Sequence, residues 1–489
     1  MNHNYIKRSM TKAILSVVML LMAVAASAQP KTAYGVLCYD ETYVRMTNAL
    51  VKFPLEDHGK FEFQRYFGDA TNDVSAATYA DGYYYVARSH KGANTQGGGE
   101  QVLIPTDLVR YDFDTDEAKS ICQITGIPSV VYDMTYDYVG KNIYAISYDR
   151  NKGKSQLFTI DTRSGRFFNV DKTGGYMDHA FATLACSYDG QLYGISYDGM
   201  FCKIDKTTGK DAEVIASIGF LPAYSQTMEF DHSDGKLYWA GTAYYTDKET
   251  GVAYQSCFIA EVDAATGNKT LLGSVGDNPQ IAGLYIPFSA AQKGAPAAVT
   301  ALNAVTDNTG ANKATITWTN PTKTFDGQPL SALTKIEVYR NKTKVKTFTG
   351  ADIAPGKAMS YTDNTPEGIG KKYTYRVYAY NTVGKGAEAS KRIFVGHDTP
   401  SAPTNVKLNK QAVDKVQISW DAVTTGVNNG FLDLASLAYN VVRQPDGKQI
   451  AEKVTGTTVT DENITPADLY TYEVTAVNAD ATSEATLSD

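Results

Sequence analysis

Between residues 29 and 290, apolar and polar positions alternate in short runs, and turns rich in Asp and Gly separate the runs. Alternation of period two marks half-buried strands. The stretch Phe181 to Gly219 carries the pattern most fully. It predicts strands over Phe181–Ser187, Gln191–Tyr197, Met200–Asp205 and Glu213–Ile218. Tyr188-Asp189-Gly190 joins the first two, and Gly there supplies the positive φ that a tight hairpin turn needs. Asp205-Lys206-Thr207-Thr208-Gly209 joins the last two.

The unit recurs. Its second strand has counterparts at Tyr85-Val86, Tyr144-Ala145-Ile146, Tyr193-Gly194-Ile195 and Tyr238-Trp239-Ala240. The third strand and its turn recur at Ile160-Asp161 to Gly165, Ile204-Asp205 to Gly209 and Val262-Asp263 to Gly267. Repeats of this size built from four antiparallel strands are the pattern of propeller blades. The first copy lacks its first strand: Tyr34-Gly35-Val36 reads as a second strand and Leu50 to Phe53 as a third. Ile281 to Ile286 reads as an orphan first strand at the other end. The expectation is an all-β chain that begins with a five-bladed β-propeller, residues 29–290, in which the last strand completes the first blade.

The pattern changes at Ala290 to Ala298, a small-residue linker. Ala314 to Trp318, Ile336 to Tyr339 and Tyr373 to Tyr380 read as strands, and Val416 to Trp420, Tyr439 to Arg443 and Tyr470 to Val477 repeat them. Tyr373-x-Tyr375-x-Val377-x-Ala379-x-Asn381 matches Tyr470-x-Tyr472-x-Val474-x-Ala476-x-Asn478. Thr362-Asp363 matches Thr460-Asp461. With the early Trp318 and Trp420, these residues resemble fibronectin type III domains, over 297–396 and 401–489. The resemblance implies two immunoglobulin-like β-sandwiches with Tyr373 and Tyr470 as corner tyrosines. The second copy reaches Asp489 within or just before its final strand, so its sheet is expected to be incomplete or the natural chain to continue.

Residues 1–28 read as a secretion signal. Lys7, Arg8 and Lys12 precede an apolar core from Ala13 to Ala25, and Ala26-Ser27-Ala28 fits the cleavage rule. The core is too short to prefer spanning a membrane, and no later run is long enough. An exported chain invites disulfides. Cys186 and Cys202, however, fall on the first and third strands of one blade, about 9–10 Å apart at standard strand spacing, too far for a bridge. All five cysteines are therefore expected to be small buried apolar residues. The net charge of −7, without a run of either sign, argues against nucleic acid.

No catalytic set emerges. The six histidines have no metal-ligand spacing, and no cofactor or metal is expected. Asp112, Asp114 and Asp116 open like a calcium loop, but Glu117 and Gln123 stand where Gly and Glu are needed. Gly97-Gly98-Gly99 is followed by no Lys-Ser/Thr. In a propeller the blade-to-blade loops, and the loops between second and third strands, gather on one face. Here that face would display Asp73, Tyr132, Asp133, Tyr176, Asp178, His179, Tyr224, Gln226, Asp277 and Asn278, with long loops at Arg88 to Asp107 and Gly241 to Ser256 beside it. Tyr with Asp and Asn suits a sugar or a protein surface.

The order of signal, propeller and two fibronectin-like domains resembles exported, adhesin-like proteins of Bacteroidetes bacteria. That resemblance implies a cell-surface or secreted binding protein, with the periplasm as the other open compartment, and a glycan or extracellular protein as partner. A propeller glycosidase is the rival reading. It would need two carboxylates about 5–10 Å apart, with Asp133, Asp178, Glu229 and Asp277 as the candidates. A purely structural envelope or matrix protein is the third.

Overall fold

The computed structural model describes residues 31–39, 47–56, 60–68, 72–91, 103–127, 129–149, 151–246, 251, 253–274, 279–288, 291, 293–365, 370–465 and 468–488. The signal segment, Gly97 to Gly99, Asp277 and Asn278 lie outside them. The chain forms two compact units, 1–113 with 117–288, and 114–116 with 289–489. Apart from one single-turn 3-10 helix, all described elements are strands.

The first unit is built of five antiparallel sheets. Sheet four shows how the sequence makes one. Phe181–Cys186, Leu192–Ser196, Met200–Asp205 and Lys210–Ser217 pair in chain order. In the turn between the last two, Thr207 N–H donates to Asp205 Oδ1 at 2.7 Å, and Gly209 sits at φ 68°. Asp161 and Gly165 repeat the device after Lys154–Asp161, and Asp263 and Gly267 after Ala253–Val262. The recurring Asp residues are turn formers, as their pattern suggests.

Sheet one runs Gln280–Tyr285, Thr32–Tyr39, Ala49–Pro54, Glu62–Tyr66. The expected pairing of a late strand with the earliest one is present, with Tyr34 opposite Tyr285 and Leu37 opposite Ile281. The first strands of sheets two, three and five are Asn72–Ala80, Val131–Asp137 and Thr227–Asp231. These inner strands lie side by side in the order Gln280–Tyr285, Asn72–Ala80, Val131–Asp137, Phe181–Cys186, Thr227–Asp231. The last of them also lies against Gln280–Tyr285. Most of their residues are buried, and Phe181–Cys186 and Thr227–Asp231 wholly so, as strands covered on both faces must be.

Two expected loops are instead long hairpins. Tyr83–Lys91 pairs with Leu103–Asp112, with His90 opposite Ile104. Lys236–Thr246 pairs with Ala253–Val262 out to Thr246 opposite Ala253. The β-branched and aromatic residues of these arms continue the ladder beyond the blade-sized core.

In the second unit, Thr300–Val305, Lys313–Thr319 and Ala358–Asn364 form one sheet. Thr343–Phe348, Lys335–Arg340, Lys371–Tyr380 and Ala389–Val395 form the other. The pattern repeats over 404–487, ending in a two-residue strand, Thr486–Leu487. This is the three-plus-four arrangement of a fibronectin type III-like sandwich, with Trp318 and Trp420 in the cores.

The matched sequence positions have matched jobs. Tyr375 and Tyr472 donate to Asp363 and Asp461 at 2.8 and 3.0 Å. Each carboxylate also takes an arginine at 2.7 Å, Arg340 or Arg443. Tyr470, the second expected corner residue, accepts from Thr465 N–H at 3.4 Å. Asn381 and Asn478, which close the alternating run, hold the chain entering each domain. Their Nδ2 groups donate to Gly294 O and Asp398 O at 2.8 and 3.5 Å.

Candidate functional site

Where the inner strands converge, Asp133 is fully buried. It accepts Thr183 Oγ1 at 2.5 Å, Leu184 N–H at 2.9 Å, Met134 N–H at 3.0 Å and Thr227 Oγ1 at 3.1 Å. Leu284 N–H donates to that same threonine oxygen at 3.3 Å. One carboxyl thus ties three inner strands together directly, and a fourth through the Thr227 hydroxyl. Burial pushes it up to about 8, against the pull of the four hydrogen bonds.

Gln226 is also buried. Its amide accepts Trp239 Nε1–H at 2.9 Å and donates to Ala223 O at 3.2 Å. Asp133 and Gln226 are therefore not displayed on an exposed face. The alternation that puts a first-strand residue inward encloses it once neighbouring sheets cover both sides. Asp73 is half-buried and accepts Asn48 Nδ2–H at 2.8 Å. Glu229 is buried as well. Burial pushes it up, and it lies 3.5 Å from His232 Nε2. His232 lies in the turn after Thr227–Asp231, its ring 4.6 Å from Tyr138 and 4.9 Å from Phe288 between centres.

The other expected residues among those described remain accessible. Tyr132 meets Tyr148 and Tyr197 edge-on, at 5.9 and 6.3 Å, and those two lie 5.8 Å apart. All three rings are half-buried. Tyr176 donates to Asp149 Oδ2, next to Tyr148, at 2.7 Å. Asp178 is exposed. Tyr224 and Tyr244 share a 2.6 Å hydroxyl hydrogen bond, with both rings exposed. Tyr132, Tyr176 and Tyr224 are among the residues expected from sequence, whereas their ring neighbours Tyr148, Tyr197 and Tyr244 are not. The signal was present: each stands at or just past the end of a second strand, where the loops of the expected face begin.

His179 does not stand alone. Its Nδ1 contacts Asp211 Oδ2, its Nε2 lies 3.8 Å from Asp198 Oδ2, and Cys202 Sγ is close by. Sequence spacing gave no hint, because Cys202 and Asp211 come from neighbouring strands of sheet four and His179 from the connection before it. All five cysteines are free thiols. Cys186, Cys202 and Cys257 are buried, and Cys38 and Cys122 partly so.

No family model matches the chain. Among curated proteins it is similar to chitinase A1 of Niallia circulans, 26% identical over 414 residues. The match covers 76% of this chain and 53% of the relative, so the chain spans about half the length of the relative it matches. Among solved structures it aligns with the FN1-FN3 domains of chicken CNTN1 at 16% identity. That alignment covers 40% of this chain and 65% of the other, with a TM-score of 0.21. It also aligns with a two-domain fibronectin type III segment of chicken tenascin at 13% identity, covering 39% and 96%, with a TM-score of 0.18. These scores are too low to carry weight. The strand order of each sandwich is what makes the second unit fibronectin type III-like.

Proposed function

We propose that this chain is an exported binding protein. Its five sheets act as a five-bladed propeller with a glycan-recognising face, and its fibronectin-like sandwiches serve as spacers. The observation that carries the reading is the group of half-buried rings Tyr132, Tyr148 and Tyr197, with the Tyr176–Asp149 pair beside it. Flat apolar ring faces beside fixed hydrogen-bonding groups match the alternating C–H and O–H surface of a sugar. The circuit of neighbouring inner strands supports the propeller, and the similarity to a protein named chitinase A1 favours glycan over protein as the ligand. The glycosidase reading is the weaker one. Asp133 and Glu229 are enclosed and engaged by the fold, whereas glycoside hydrolysis needs carboxyls that reach substrate and water.

The test is binding of the full chain to a glycan panel that includes chitin oligosaccharides, beside Tyr148→Ala and Tyr197→Ala variants. Saturable binding weakened at least about tenfold by either change is the expected outcome, in line with truncation of a central aromatic. Binding unchanged in both variants would move recognition elsewhere.

A further inference from the structure

Among the described residues, one side-chain cluster outside the aromatic rings carries the makings of a metal centre. His179, Cys202 and Asp211 each present one donor atom, and the three atoms lie within 4.8 Å of one another. They come from three segments: the connection ahead of Phe181–Cys186, the strand Met200–Asp205, and the strand Lys210–Ser217. Two register shifts, at Phe201/Cys202 and at Lys203/Ile204, interrupt the pairing of the two strands. Bulges of this kind re-aim side chains beside functional sites.

Two further observations point to a ligand. The Asp211 side chain is 5% exposed, and its Oδ1 is enclosed without a hydrogen-bond partner. A buried carboxylate oxygen left unmatched is costly, and a cation would match it. Asp198 Oδ2 faces His179 Nε2, the ring nitrogen away from Asp211. A carboxylate behind a metal-bound imidazole is the usual device for fixing its tautomer and orientation.

We propose that His179 Nδ1, Cys202 Sγ and Asp211 bind a zinc-class divalent cation, with Asp198 positioning the imidazole. The donor set selects the ion. A thiolate and an imidazole disfavour calcium and magnesium, which take oxygen ligands, and favour zinc or cobalt. Tetrahedral zinc at ligand distances of about 2.0–2.3 Å holds its donors roughly 3.3–3.7 Å apart. The cation therefore replaces the His179–Asp211 hydrogen bond and spreads that pair. Binding converts the thiol to a metal-bound thiolate and releases its proton to the buffer. Three protein donors leave a fourth position for water. The metal would clip the connection bearing Tyr176 and Asp178 onto the outer strands of sheet four.

The full chain, stripped with chelator and re-equilibrated with Zn2+, is assayed for bound metal by mass spectrometry. Co2+ then serves as the spectroscopic probe. The expected result is one Zn2+ per chain, a Co2+ spectrum with a thiolate charge-transfer band, loss of that band in Cys202→Ser, and at least about tenfold weaker Co2+ binding in Asp211→Asn. Far-ultraviolet circular dichroism checks that each variant is folded. Should Cys202→Ser fail to fold, the wild-type spectrum and Asp211→Asn decide. A chain that retains no Zn2+, a Co2+ complex without the thiolate band, or a folded Asp211→Asn with undiminished affinity overturns the proposal. The cluster would then be a His–Asp hydrogen bond beside a buried thiol.

Discussion

Asp133 is a residue whose surroundings set its charge. With an ordinary carboxyl value near 3.9 when unfolded and about 8 when folded, the folded state holds the proton more tightly. Its contribution to stability is fully present below about pH 4 and is lost as pH rises towards 8. Asn cannot titrate, so Asp133→Asn should gain stability relative to the parent across this window, by at most about 1.4 kcal/mol per pH unit. Urea unfolding of both chains at pH 4, 6 and 8 measures this, and a pH-independent difference would refute the protonated hub. The Asp461 triad is a second residue-scale device. Tyr472→Phe leaves the buried Asp461 carboxylate one donor short, with Arg443 still paired to it. It should cost about 1–3 kcal/mol, read from the unfolding of the second sandwich.

At the scale of elements, the strand Gln280–Tyr285 depends on close approach. Gly283 has φ 63°, and a Cβ placed there would sit 2.4 Å from Ala77 Cβ and 2.6 Å from the Tyr84 hydroxyl. That hydroxyl donates to Gly283 O. Overpacking and a positive φ therefore combine against any side chain. Gly283→Ala should destabilise the first unit by about 2–4 kcal/mol, measured as a lowered denaturation midpoint with an unchanged slope. The pairing of this strand with Thr32–Tyr39 was legible because the first repeat lacked a strand and the chain supplied one later. The long hairpins were not legible as strands. Their Gly-containing arms read as loops, and only the ladder shows the pairing continuing.

At the scale of the whole molecule, the linker between the sandwiches is clamped. Asp398 is 1% exposed, and it accepts Asn428 N–H, Gly430 N–H and Thr399 N–H, each at 2.8 Å. Gly426 leaves room for it, since a Cβ there would stand 2.4 Å from Asp398 Oδ2. The connection between the sandwiches is thus hydrogen-bonded into the second of them. Asp398→Ala should speed proteolytic cleavage of the full chain between Gly396 and Pro403 by at least about tenfold, as expected when an open form gains about 1.4 kcal/mol or more. Mass spectrometry of the fragments reads the rate.

The sequence by itself determined most of the strands, their turns, the repeat, the pairing of Gln280–Tyr285 with Thr32–Tyr39, and the duplicated sandwich pattern. These follow from period-two alternation and from Asp and Gly at turns, which are local and written in chain order. Tertiary structure alone decided which expected site residues stay accessible. Alternation says that a side chain leaves the sheet, and only the neighbouring sheet says whether it meets water. Asp133 and Gln226 were buried by that neighbour, while Tyr148 and Tyr197 came to stand beside Tyr132. The meeting of His179 with Cys202 and Asp211 was likewise beyond the sequence, because it depends on a connection laid across two bulged strands, and no spacing along the chain encodes that crossing.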